Sequence, residues 1–261
     1  MFDSGFGGLT VARAVIDLLP REHLVYLGDT GRYPYGPRPA DEVRRFAHQI
    51  TDELLAYGPK AVVVACNTAA AVALDELAER LDIPVIGVIE PGVRSLVQAT
   101  TNGRVAVIGT VGTIASGAYQ RLLAEAGPDL EVCALACPGL VEFVERGETG
   151  SEQVHVLAER LLAPAVAAGV DAMLLGCTHY PYLARTLADV MGRDVVLVSS
   201  ADETAFEVRR RLEELGLARP AAARGRPAPT FLTTGDVAWF TDLGSRLLGP
   251  ELDDAALVSW E

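Results

Sequence analysis

The chain alternates short, almost wholly apolar runs with longer segments whose apolar residues recur at helical spacing, and this alternation limits the fold more than any other feature. The runs are LVYLG (24–28), AVVVAC (61–66), IPVIGVI (83–89), RVAVIGT (104–110), LEVCALA (130–136), DAMLLGC (171–177) and DVVLVSS (194–200); helical patterns cover 40–56, 69–81, 114–126, 151–168, 182–191 and 201–215. A strand with one wet face alternates apolar and polar residues. These runs do not, which suits parallel strands covered on both faces. Parallel neighbours need a crossover, and a helix after each strand supplies it in right-handed βαβ units. The expected fold is α/β, with open, doubly wound, mainly parallel sheets. Ser200-Ala-Asp-Glu203 reads as a capping box opening the helix over 201–215. The stretch LARPAAARGRPAPT (217–230) reads as a surface connection, followed by a last strand (230–235) and helix (236–247).

Two of the runs share one plan. AVVVACNTA (61–69) and AMLLGCTHY (172–180) each give an apolar strand, a small residue, a cysteine, then Asn or Thr, with the cysteines 111 positions apart. Two units of similar size in a pseudo-twofold pair follow from this reading. Ligands of open α/β sheets gather beyond the carboxyl ends of the strands. Cys66 and Cys177 both stand there, each ahead of polar residues at an expected helix start: Asn67 and Thr68, then Thr178 and His179. A helix N-terminus presents free N–H groups, favours carboxylates and lowers a thiol pKa from about 8.5 towards neutrality. Both cysteines are therefore expected to be usable thiolates, paired as acid and base in one site. Packing is the ordinary role of a buried cysteine, but it places the residue within a strand more often than at its end.

Other segments fit around this pair. Phe2-Asp3-Ser4-Gly5-Phe6-Gly7-Gly8-Leu9-Thr10 reads as a strand end, a Gly-rich turn and a helix start. Its carboxylate would oppose a pyrophosphate and instead suits a ligand ammonium or a proton-transfer partner for a thiol. Tyr33-Pro34-Tyr35-Gly36-Pro37 forms a turn after another strand end, and His179 stands two residues from Cys177, placed to assist it. His23, His48 and His155 have no such company. The net charge of −13 argues against nucleic-acid binding; acidic residues such as Glu142, Glu145 and Glu148 are expected on solvated helix faces. Cys133 and Cys137 lack the second pair or histidine that a zinc site needs. The single lysine, Lys60, opens the strand that Cys66 ends, about 20 Å away along it, which argues against a Schiff base to pyridoxal phosphate. No run approaches the roughly 18 apolar residues of a membrane span, and no signal peptide is evident, so a cytoplasmic enzyme with no membrane partner is expected.

DSGFGGLTV (3–11), PYGPR (34–38), ACNTA (65–69), CPGLVEFVERGE (137–148) and LGCTHYP (175–181), in this order, closely resemble the glutamate racemase family over essentially the whole chain. The resemblance implies two α/β domains, 1–92 plus 200–261 and 93–199, with the active site in the cleft between them. It implies racemisation of glutamate without cofactor or metal, in the cytoplasm, supplying D-glutamate for peptidoglycan, by an enzyme that is often a homodimer. Cys66 and Cys177 match the catalytic cysteines, deprotonating D- and L-glutamate respectively, with Asp3 assisting the first and His179 the second. Glu145 matches the acidic residue of the CP…VE segment, where Gly139 replaces the usual bulky residue. Substrate contacts match Asp3, Ser4, Tyr35, Gly36, Asn67, Thr68, Thr178 and His179. An aspartate racemase is the nearest rival; its relatives tend to carry Glu at the place of His179. Decarboxylases of the superfamily use one cysteine, and a non-enzymatic role such as gyrase inhibition leaves a complete cysteine pair unexplained. Family members usually carry several residues before FDSG, so Met1 is expected to be an internal start, a Val codon GTG read as Met.

Overall fold

The computed structural model describes residues 1–220 and 225–260. In chain order the elements are β1 (Phe2–Asp3), α1 (Leu9–Leu18), β2 (Val25–Gly28), α2 (Ala40–Leu55), β3 (Val62–Val64), α3 (Asn67–Arg80), β4 (Val85–Gly87), α4 (Ile89–Ala99), β5 (Arg104–Gly109), α5 (Val111–Ala115), α6 (Ala118–Ala126), β6 (Glu131–Ala136), α7 (Leu140–Glu145), α8 (Glu152–Ala168), β7 (Ala172–Gly176), a 3₁₀ turn (Tyr180–Leu183), α9 (Ala184–Met191), β8 (Val196–Ser199), α10 (Ser200–Glu214), β9 (Thr230–Thr233), α11 (Val237–Leu248) and β10 (Ala256–Leu257).

The strands form two sheets, ordered β10-β9-β2-β1-β3-β4 and β6-β5-β7-β8, and every described pairing is parallel. The fold is thus two α/β units, as the apolar runs require. The four strands β2-β1-β3-β4 repeat the order β6-β5-β7-β8, so β3 and β7, the two strands that share the cysteine plan, hold equivalent places. In the first sheet the chain steps from β1 one way to β2, then returns past β1 to β3 and β4. Right-handed crossovers then put α1 on one face and α2 and α3 on the other. Accordingly α1 packs with α10 and α11, whereas α2 packs with α3. The reversal lies between β1 and β3; in the second sheet it lies between β5 and β7. Each is a topological switch point, where the helices diverge and leave a crevice at the carboxyl ends of the strands.

The period of two along β5 ties the units together. Val105 and Val107 join the larger core, shared with the first sheet, while Ala106 and Ile108 join a second core under α8 and α9. Helix α4 packs against α10, α6 and β7, and at Gly92 an added Cβ would lie 3.2 Å from both Leu174 and Ser200.

Several expectations are corrected. The helix expected over 114–126 is two helices, α5 and α6, because Gly117 adopts φ +70° and breaks the first after one turn. Helix α10 begins one residue early: Ser199, not Ser200, is the cap, accepting from the Ala201 N–H. Of the connection read at 217–230, residues 221–224 lie outside the described residues.

Candidate active site

Ser4 follows β1, Cys66 follows β3, Thr110 follows β5 and Cys177 follows β7, and all four line one cleft of about 620 Å³. Both switch points therefore open onto the same space. Tyr35, Gly36, Asn67, Thr68, Thr178 and His179 line it as well, which brings together the substrate contacts implied by the family resemblance with one exception. Asp3 is fully buried behind the wall, with Oδ2 accepting from Gly5 N–H at 2.9 Å and Oδ1 from the Thr178 hydroxyl at 3.2 Å. Its bond to Thr178 links the two domains directly behind the cleft.

The two cysteines differ in surroundings. Cys66 is the N-cap of α3, as its spacing predicts. Its thiol donates to Ser4 Oγ at 3.7 Å. Burial pushes this thiol up, the charge of Asp3 adds to the shift, and hydrogen bonds with the Ala69 N–H and Ser4 offset only part of it, leaving it at about 12. Desolvation thus opposes the thiolate expected at a helix N-terminus and favours the thiol, the form that donates a proton.

The helix expected after Cys177 opens as a 3₁₀ turn, Tyr180–Leu183, containing Pro181 and passing directly into α9. Beside it is a side-chain relay. Cys177 Sγ lies 3.8 Å from His179 Nδ1, and His179 Nε2 lies 2.6 Å from Glu145 Oε1. Burial opposes charge on the imidazole, but the bonds to Cys177 and Glu145 and their negative charges outweigh it and push the imidazole up to about 10. Glu145 is therefore no solvated surface residue: its side chain is 9% exposed and sits behind the histidine. Glu142 and Glu148 are exposed as expected.

Close packing explains the Gly-rich turn. A Cβ on Gly7 would lie 2.2 Å from Thr178 Oγ1 and 2.5 Å from His179 Nδ1, and one on Gly8 would lie 2.5 Å from Asp3 Cβ. Glycine is needed because the turn of one domain lies directly against Thr178 and His179 of the other. On the opposite rim, Gly36 O accepts from Gly112 N at 2.9 Å, and Thr68 Oγ1 lies 3.0 and 3.2 Å from the hydroxyls of Thr110 and Thr113. Asn67, which lines the cleft, donates from Nδ2 to the Tyr119 hydroxyl at 2.6 Å, while its Oδ1 is buried without a partner. Tyr33 places its ring 6.3 Å from that of His179.

Among the described residues the cleft wall carries no lysine or arginine. Lys60 instead pairs with Glu22 at 2.5 Å, away from the cleft. Hydroxyls, the Asn67 amide and the first N–H groups of α3 are left to hold a carboxylate. Thr110 and Val141 also line the cleft, as do Cys137, read above only as a cysteine without zinc partners, and Glu142, expected on a solvated face. Thr110 and Cys137 each follow the carboxyl end of a parallel strand, a signal that could have found them.

With this geometry in hand, the comparisons with known proteins are direct. The sequence profile described as Asp/Glu/Hydantoin racemase matches residues 9–207. A glutamate racemase of Mycobacterium ulcerans is 54% identical, the alignment covering 97% of this chain and 92% of that protein. A crystal structure of a glutamate racemase isoform from Bacillus anthracis superposes with a TM-score of 0.93 at 42% identity, covering 100% of this chain and 96% of that one. A glutamate racemase from Francisella tularensis, solved in complex with D-glutamate, gives 0.91 at 32% identity, covering 99% and 95%. The chain belongs to the glutamate racemase family, within the Asp/Glu/Hydantoin racemases.

Proposed function

We propose that this chain interconverts L- and D-glutamate by a two-base mechanism carried by Cys66 and Cys177, without a cofactor, and that the D-glutamate feeds peptidoglycan synthesis in the cytoplasm. The observation that carries the reading is that two buried thiols from equivalent strand ends line one cleft, Cys66 beside Ser4 and Cys177 beside the His179–Glu145 pair. Racemisation takes a proton from one face of Cα and returns one to the other, so it needs one partner as base and one as acid. Cys177, hydrogen-bonded to a charged imidazole, is the base for L-glutamate; Cys66, held as a thiol, is the acid.

In the forward direction Cys177 removes the Cα proton and Cys66 delivers its own to the opposite face. The enzyme is left with Cys66 as thiolate and Cys177 as thiol, ready for D-glutamate. The planar carbanion puts extra charge on the α-carboxylate, and donors that tighten on that charge lower the barrier. The hydroxyls of Ser4, Thr68 and Thr178 and the N-terminus of α3 are placed for this. Asp3 acts from behind, through Thr178 and through its charge on Cys66.

The test is racemisation by the purified chain, dialysed against a chelator and given no cofactor, with L-glutamate and L-aspartate as separate substrates followed by chiral chromatography. Conversion of glutamate to the racemate with aspartate left unchanged supports the reading. Conversion of aspartate alone, or a requirement for added cofactor, contradicts it.

A further inference from the structure

The loop that carries Tyr33, Tyr35 and Gly36 is secured by the far end of the chain. Asp29, fully buried at its start, accepts hydrogen bonds from Arg32 Nε at 2.8 Å, Thr234 Oγ1 at 2.6 Å, Trp260 Nε1 at 3.3 Å and the Tyr35 hydroxyl. The Arg32 guanidinium lies over two rings, 4.1 Å from the centroid of Phe46 and 4.2 Å from that of Trp260. Tyr35 packs on the same Phe46 ring at 5.5 Å. Strand β10 brings Trp260 to this point by pairing with β9, and Val258 N bonds Thr233 O at 2.8 Å.

Trp260 does not line the cleft. It closes the stack that fixes Arg32, which with Asp29 fixes Tyr35, which in turn sets the path of Gly36 against Gly112 of the other domain. We infer that Trp260 is a positioning residue for the substrate loop 33–37, so that the C-terminal strand and tail form part of the active-site architecture. A cation held between two aromatic faces and away from water is a contact that an aliphatic side chain of similar bulk cannot replace. When the contact is lost, the loop spends part of its time away from the binding geometry. Apparent affinity then falls by the fraction still competent, whereas chemistry in the bound complex, where the loop is in place, continues at its former rate. This inference rests on the racemase reading above.

Three variants decide it: Trp260→Ala, Trp260→Leu and Trp260→Phe, each assayed with L- and D-glutamate beside the unmodified chain. The expected result is a rise in KM of roughly three- to tenfold for both enantiomers in the Ala and Leu variants. kcat should stay within about twofold, and Phe, which keeps the aromatic face, should restore KM to near that of the unmodified chain. A purely structural role lowers Tm and the active fraction, hence kcat per mole of protein, and leaves KM alone. Unchanged KM in the Leu variant overturns the inference; that variant keeps apolar bulk, so it decides the matter should Trp260→Ala fail to fold. No racemisation by the unmodified chain overturns the functional reading itself, and this inference with it.

Discussion

His179 Nε2 and Glu145 Oε1 lie 2.6 Å apart, both nearly buried, on elements that meet only because α7 packs against the 3₁₀ turn after β7. Cys177 and Glu145 together favour the charged imidazole against the opposing effect of burial. Glu145→Gln leaves Cys177 but removes the second partner that favours this form, so the imidazole pKa falls below about 10. The alkaline limb of kcat/KM should move to lower pH, and kcat at neutral pH should drop about tenfold or more. A pH–rate profile of the variant checks this; an unmoved alkaline limb contradicts the relay.

The proposed two-base mechanism requires each thiol in turn. Cys66→Ser and Cys177→Ser should each lower racemisation by about a hundredfold or more, because a hydroxyl is a far weaker base and acid near neutral pH. Circular dichroism should show both folded. Alkylation at neutral pH should modify Cys177 before Cys66, since burial and Asp3 hold Cys66 as a thiol. Peptide mapping after brief iodoacetamide treatment reads the order directly.

The domain contact at Gly7 admits no side chain. Gly7→Ala must displace Thr178 and His179, which disturbs the acid–base geometry more than the core. A stability loss of about 1–3 kcal/mol is expected from the overpacking, together with a loss of kcat/KM that cannot be explained by the fall in Tm. Activity and thermal denaturation measured on one preparation separate the two.

Asp171 anchors the turn that leads into β5. Its carboxylate accepts from the Thr100 hydroxyl at 2.5 Å and from Thr101 N and Asn102 N at 2.7 Å each. Burial opposes its ionisation, but these donors outweigh it and hold it well below its ordinary 3.8. A depressed pKa gives stability that is present above the unfolded value and is lost as pH falls through the folded one. Asp171→Asn should therefore lower Tm at neutral pH, and the gap from the unmodified chain should narrow below about pH 3.8. A Tm series from pH 7 downwards measures the gap.

The sheets and the two cysteine positions were legible because parallel, doubly covered strands carry unbroken apolar runs and end where ligands bind. What the sequence hid was mostly tertiary. Helix α4 contains Pro91-Gly92, which reads as a turn, yet Pro91 falls in the first helical turn, where no N–H is needed, and Gly92 lets the helix approach Leu174. Glu145 has the helical spacing of an exposed acid; only the position of His179, 34 residues away, makes it a buried partner. The helix end at Cys66 is legible from its spacing, whereas the burial and the charge of Asp3 that act on its thiol are set by packing. Tyr119, which holds Asn67, left no local signal at all.

The central claim is that two different thiols serve the two faces of Cα. Incubation of L-glutamate in D₂O, with both enantiomers recovered at low conversion and Cα deuterium measured by mass spectrometry, tests it most directly. The account predicts deuterium in the D-glutamate formed and almost none in the L-glutamate recovered. Equal labelling of both enantiomers from the earliest time points would contradict it.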